Sequence, residues 1–252
     1  MAQLFFLEVY DLSRQEGWTR DTHFTADGTL LESWASLKSF VRQDGTDEKK
    51  VAAAQDEDPG NPSVNFRGEK RGHDTHQSRT DPDSVLYRKA QGKEARLYWG
   101  GHVLMENRHG LCAEFTLHNP ITEPEPAVAL RQLDEHAELH AGVNPATVGA
   151  DKGYHRKDFV QGCRARGISP PVAGKAKVPV PGLDGRTTTK AGYQVSQRIR
   201  KRVEEIFGWM KTVGGLRRSR YLGLERTQAW GDFVAGTYNL LRLARLGTSA
   251  AG

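Results

Sequence analysis

A chain of 252 residues with 37% hydrophobic and 27% charged residues is long enough for a sizeable core, yet has no apolar run near the roughly 18 residues a membrane span needs. Its two cysteines, Cys112 and Cys163, lack metal-type spacing, which excludes a disulfide scaffold or a cysteine–zinc site and suits a reducing compartment. The net charge of +5 is unevenly spread: from Arg186 to Arg245 there are 13 Lys and Arg against 4 Asp and Glu, a concentration that points to a polyanionic partner, because neutralising phosphates releases condensed counterions.

Phe5, Val9 and Leu12 recur at helical spacing and predict a short helix within residues 1–20. No basic segment or small-residue cleavage site accompanies it, so a cytoplasmic protein is expected. "THFTADGTLLESWASLKSF" is read as a strand entering a turn at Asp27-Gly28. Residues 43–92 lose periodicity, are rich in Asp, Gly and Pro, and are expected to form a long flexible insertion. "ARLYWGGHVLMENRHGLCAEFTLHN" then reads as a hairpin turning at His109-Gly110. "EPEPAVALRQLDEHAELHAG" follows as a helix closing near Gly142, and "ATVGADKGY" as a short buried strand stopping at Asp151. A helix over 156–166, a short strand in "GISPPVAG" and a Pro, Gly and Lys-rich connection over 174–192 lead to a basic helix, "RIRKRVEEIFGWMK". The last helix, "TQAWGDFVAGTYNLLRLARL", places apolar residues at Ala229, Phe233, Leu240 and Ala244, and a disordered tail is expected over 247–252. Antiparallel strands followed by alternating helices and strands predict an α/β domain over 21–246, a mixed sheet flanked by helices with a long polar insertion after the first strand. The ribonuclease H-like fold is one candidate for that order.

Three carboxylates stand where structure would present them. Asp27 and Asp151 each end an apolar strand next to a glycine, at positions that a sheet could bring together. The third follows from helical phase. At about 100° per residue, Ile199, Val203, Ile206, Phe207 and Met210 form a buried stripe; Glu204 lies at its edge with Arg200, Gly208 and Lys211, while Glu205 shares the outer face with Arg198 and Arg202. Two aspartates and a glutamate are hard oxygen donors of the kind that Mg²⁺ or Mn²⁺ prefers, and two such ions can drive in-line displacement at a phosphodiester.

"TADGTLLESWASLKSF", "GGHVLMENRHGL", "VGADKGY" and "QRIRKRVEEIFGWMKTVGGLR" together resemble the DDE transposases of bacterial insertion sequences, specifically insertion-sequence family five, over nearly the whole chain. The resemblance implies a ribonuclease H-like catalytic core, with Asp27, Asp151 and Glu204 as catalytic residues and ligands of two Mg²⁺ or Mn²⁺ ions. It implies DNA, both element ends and target, as partner, a homo-oligomer assembled on that DNA, and a location at the nucleoid. Arg200, Glu204 and Lys211 match the family's arginine–glutamate–lysine spacing, whereas Gln197 occupies the position of its tyrosine, with Tyr193 nearby. Arg200 and Lys211 are expected to contact phosphates, with Arg217, Arg218 and Arg220 extending the basic track. Family members usually carry a longer N-terminal helical region, so residues 1–20 read as the remnant of one and the chain as a short copy. Two other readings are a catalytically inactive remnant that only binds DNA and a ribonuclease H-like nuclease with a host role.

Overall fold

The structure, a computed structural model, describes residues 1–44, 72–73, 75–88, 94–174, 180 and 188–250, with the backbone alone at 249 and 250. Most of the 43–92 insertion, most of the 174–192 connection and residues 251–252 lie outside the described residues. The main elements are helix α1 (Ala2–Gln15), strands β1 (His23–Glu32), β2 (Phe40–Arg42), β3 (His76–Ser78), β4 (Val85–Tyr87), β5 (Arg96–Glu106) and β6 (Leu111–His118), helix α2 (Glu125–Leu139), strand β7 (Thr147–Gly149), and helices α3 (Lys157–Ala165), α4 (Ala191–Ile199), α5 (Val203–Thr212) and α6 (Leu224–Ala250).

One sheet of five strands organises the molecule. β5 is its spine: β1 runs antiparallel along one edge, while β6 and, beyond it, β4 share the other. β7 adds parallel to β1, and bridges Thr147–Ser169 and Ala150–Val172 lay the "GISPP" segment parallel beside β7. This mixed sheet flanked by helices fits a ribonuclease H-like fold. The helices cover both faces because alternate strand residues point to opposite sides. Leu31, Trp99, Val103 and Phe115 pack with Ile206, Phe207 and Met210 of α5 and Val234 and Tyr238 of α6; Phe24, Ala26, Leu104 and Val148 pack with Leu133 of α2 and Phe159 of α3.

The hairpin turn falls where the sequence places it. Gly110 adopts φ +69, where side chains with a Cβ are disfavoured, and the Glu106 carboxylate accepts the backbone N–H groups of Arg108 and His109 at 2.8 and 2.9 Å. Two other local expectations change. α1 buries Phe6, Val9, Tyr10 and Ser13, whereas Leu12 is 44% exposed. Asp27-Gly28 makes no turn, and β1 continues through it to Glu32.

α6 departs furthest from expectation. Ala229, Phe233, Leu240 and Ala244 lie on its exposed side, and the helix continues through residues 247–250, beyond Leu246. Its inner face is instead partly polar. Asn239 exchanges two 2.8 Å hydrogen bonds with the backbone of Cys112, and Gln228 accepts from Leu117 N at 2.6 Å and donates to Phe115 O at 3.0 Å. β6 is an edge strand whose outward peptide groups would otherwise be buried without partners, and these carboxamides stand in for a further strand. A stripe chosen by hydrophobicity alone selects the wrong face.

Part of the polar 43–92 stretch is tied into this frame. Buried Asp81 accepts from Ser33 Oγ at 2.7 Å and from Gly223 N at 3.0 Å, and Asp83 accepts from Leu224 N at 3.2 Å, so the two aspartates hold the start of α6. Removing the edge carboxamide tests this architecture. Asn239→Ala should lower the unfolding free energy by about 2 kcal/mol or more in urea titrations, because it orphans two buried peptide groups; a loss below roughly 0.5 kcal/mol, typical of an exposed substitution, would contradict the account.

Candidate active site

The parallel pairing of β1 with β7 brings two of the sequence-selected residues together. Its last aligned pair is Thr25 with Gly149, and each strand meets an aspartate two residues later, Asp27 on one and Asp151 on the other. Neighbouring strands lie about 4.8 Å apart, so the register brings Asp27, inside β1, near Asp151, just past the end of β7, and the charge of Asp151 reaches Asp27. The Asp151 carboxylate caps the following single turn by accepting from Gly153 N at 2.6 Å.

Behind Asp151 lies a fully buried brace. The Tyr154 hydroxyl meets His102 Nε2 at 2.5 Å, and His102 Nδ1 lies 2.7 Å from Gln132 Oε1, while the Gln132 amide donates to His102 O and Thr116 Oγ1. Since Gln132 presents its oxygen, Nδ1 carries the imidazole proton and Nε2 accepts from Tyr154. Burial, against the Gln132 hydrogen bond, holds His102 down at about 3, so the ring is neutral. The chain bolts the Asp151 turn to β5 and α2.

β7 ends early, leaving one edge of β1 uncovered between Thr25 and the bridge from Glu32 to Arg218. A cleft of about 650 Å³ opens there, lined by Gly28, Thr29, Glu125, Gly153, Glu204 and Lys211 among others. α5 forms one wall. Glu204, Gly208 and Lys211 face the cleft in line, as helical phase predicts, and the Lys211 ammonium donates to Thr29 Oγ1. Glu205 instead lies 3.8 Å from Arg242 of α6.

The phase of Arg200 is altered, because residues 200–202 form a 3₁₀ turn between α4 and α5. Arg200 Nε donates to Gln197 Oε1 at 2.9 Å, and Gln197 in turn donates to Pro171 O. Tyr193 OH donates to Val172 O at 3.3 Å, so both residues at the tyrosine end of the motif fasten α4 to the sheet-edge segment. All three downstream arginines, Arg217, Arg218 and Arg220, are exposed. The Arg218 guanidinium donates to the carbonyls of Ser33 and Trp34 at 3.2 and 2.9 Å and stands 5.2 Å over the Trp34 ring.

A fourth acid, Glu125, escapes a sequence reading that looks only for strand ends and helix stripes. It opens α2, and its carboxylate lies against Gly28, occupying the space a Cβ there would need. That close approach, rather than a turn, is the reason for glycine after Asp27. The only signal in the sequence is "EPEP", acids in the first turn of a helix, which is also the ordinary composition of that position.

Electrostatically the cleft is strained. Burial pushes Asp27 up from 3.8 to about 7, with the charges of Asp151, Glu125 and Glu204 adding to the rise and the Gly28 N–H opposing it. Burial, then the charge of Asp151, likewise raises Glu125. Among the described residues no three acidic or histidine side chains stand close enough to form one coordination shell as placed. Glu125 and Glu204 line the cleft, Asp27 feels the charges of all three other acids, and the four form no closed cage as placed. Their oxygens are the hard donors that suit a divalent cation, and the unrelieved charge around Asp27 is what such a cation would neutralise.

The family described as Transposase DDE domain matches residues 63–240. The chain belongs to that family. The match spans more than half the chain and includes Glu125, Asp151 and Glu204, while Asp27 and β1 lie upstream of it. No curated protein and no solved structure matches the chain significantly. Membership carries a transposase function of the nuclease type, with DNA as substrate. No helix among the described residues is long and apolar enough to cross a membrane.

Burial of Asp27, reinforced by its acidic neighbours, gives this transposase domain a signed pH dependence. Below about pH 4 Asp27 is protonated whether folded or unfolded; between about 4 and 7 the unfolded chain ionises it while the folded chain retains the proton, so stability falls as pH rises. Asp27→Asn removes that penalty. In EDTA its melting temperature should exceed the wild type's by a few degrees at pH 8, with the difference vanishing near pH 4; equal melting temperatures at both pH values would show that Asp27 is not crowded.

Proposed function

We propose that this chain is the catalytic part of an insertion-sequence transposase of family-five type, which cleaves DNA at the element's ends and joins the freed end to target DNA. The observation that supports this best is that Asp27 of β1 feels the charges of both Asp151, which follows β7, and Glu204 of α5, which lines the adjoining cleft. Asp27, Asp151 and Glu204 would hold two Mg²⁺ or Mn²⁺ ions, drawn inward by side-chain rotation. When bound, the ions activate the attacking oxygen and stabilise the leaving one.

The chain's own residues supply the rest. Lys211, fixed by Thr29 about two helical turns from Glu204, places a cation where the phosphate backbone passes the carboxylates. Arg200, oriented by Gln197, adds a second cation on the side of the β7 turn. Arg217 and Arg220 extend the positive track, and Arg218 keeps their segment docked on the end of β1. The first reaction is attack by water on the phosphorus at the element end, which releases a 3′ hydroxyl. That hydroxyl then attacks a target phosphodiester, and one DNA bond forms as another breaks. Two such ends must be handled together, so the working form is a homo-oligomer on DNA.

The test uses DNA carrying the inverted repeats that flank the reading frame. Wild-type protein should nick it with Mn²⁺; Asp151→Asn and Glu204→Gln should reduce nicking to background while folding normally, and Glu205→Gln should stay within about twofold of wild type. Salt-sensitive DNA binding without nicking at any Mg²⁺ or Mn²⁺ concentration would instead identify a binding-only remnant. Nicking that survives Asp151→Asn would overturn the site assignment.

A further inference from the structure

Of the five tryptophans, Trp34 alone is exposed, at 54%; Trp99 is buried, and Trp18, Trp209 and Trp230 are half-buried. Its exposure does not come from a loose chain. Ser33 and Ala35, on either side, are buried. Ser33 N donates to Leu97 O at 2.8 Å, and Ser33 Oγ donates to Asp81 at 2.7 Å and accepts from Ala35 N at 3.1 Å. The backbone is fixed on both sides, and the indole is held outward.

The ring is also backed by a cation. Arg218 Cζ stands 5.2 Å from its centroid, and the same guanidinium donates to Ser33 O and Trp34 O, which ties the charge to the ring it covers. Further cations lie around it. Arg217 and Arg220 are exposed on the segment that bridges to Glu32, and Lys38 is exposed in the Leu37–Ser39 turn. Glu32, the acid that ends β1, is occupied by Arg96 at 3.1 Å. An exposed ring among phosphate-binding cations is the combination that holds a single strand of nucleic acid: a base stacks on the ring while the charges follow the backbone. In duplex DNA each base face is covered by its neighbours, so an unpaired base is what such a ring can take.

The position suits this ligand. Gly28, Thr29 and Leu30 line the cleft, and β1 runs from Asp27 through them to Glu32, two residues before Trp34. At about 3.3 Å per residue Trp34 lies at most about 23 Å from Asp27, a span of up to roughly seven nucleotides at the duplex rise. We propose that Trp34, backed by Arg218, is a stacking platform for an unpaired base of the DNA strand that leads out of the cleft, with Arg217 and Arg220 along its phosphates. The platform rests on DNA as substrate and, for the course of the strand, on the cleft reading above.

The test uses the full chain in EDTA, so that cleavage plays no part. Its probes are a blunt duplex made from a flanking inverted repeat and the same duplex with unpaired thymine tails, with binding followed by fluorescence anisotropy and by tryptophan emission. Wild type should bind the tailed duplex more tightly and lose part of its tryptophan emission on doing so. Trp34→Ala, with an unchanged melting temperature, should lower the ratio of tailed to blunt affinity by about fivefold or more. Trp34→Phe keeps a ring and should restore most of that ratio while losing the quenching. Equal preference for the tails in wild type and Trp34→Ala, no preference in wild type, or quenching that persists in Trp34→Phe would overturn the platform and leave the cleft reading intact. Binding of neither DNA by wild type would bring down the DNA reading, and the platform with it.

Discussion

The parallel register between β1 and β7 is the constraint on which the site depends. It ends at Thr25 and Gly149, two residues short of an aspartate on each strand, so a few backbone hydrogen bonds decide that Asp27 and Asp151 meet. Everything nearby preserves that coincidence. β5 pairs with β1 along nearly its whole length, the buried Tyr154–His102–Gln132 chain holds the turn after Asp151, and Lys211 anchors α5 to Thr29 on the strand that carries Asp27. A one-residue slip would turn Asp27 to the opposite face and away from α5. The clustered carboxylates themselves oppose folding, so the scaffold must supply the stability that the cleft removes.

The acids are legible in the sequence to different degrees, for physical reasons. Glu204 separates from Glu205 because a helix repeats every 3.6 residues and the apolar stripe fixes its phase. Asp151 is marked by the apolar run that ends at it. Asp27 is singled out for the wrong reason: its glycine signals a turn on paper, but in the fold that glycine makes room for Glu125 from a helix nearly a hundred residues away. No local pattern carries that contact. Glu125 is hidden for the same reason, since an acid in a first helical turn is commonplace and only tertiary structure sets it beside Asp151.

α6 shows the limit of hydrophobic patterning most clearly. Leu240, Leu241 and Phe233 face outward, while Asn239 and Gln228 face inward beside Val234 and Tyr238, because the helix covers the edge of β6 as well as a layer of side chains. The positive charge near the C-terminus is similarly divided. Arg202 and Arg242 donate to the carbonyls of the hairpin turn, and Arg218, itself exposed, to those following β1, so part of the basic track also builds the fold. A charge total counts these together; only their hydrogen bonds separate them.

The most direct test of the central claim is diffraction from crystals grown with Mn²⁺, with anomalous data collected at the manganese edge. The account predicts anomalous density within coordination distance of both the Asp27 and Asp151 carboxylates, in the cleft beneath α5. Manganese bound only elsewhere on the chain, with Asp27 and Asp151 still without a metal at saturating Mn²⁺, would contradict it.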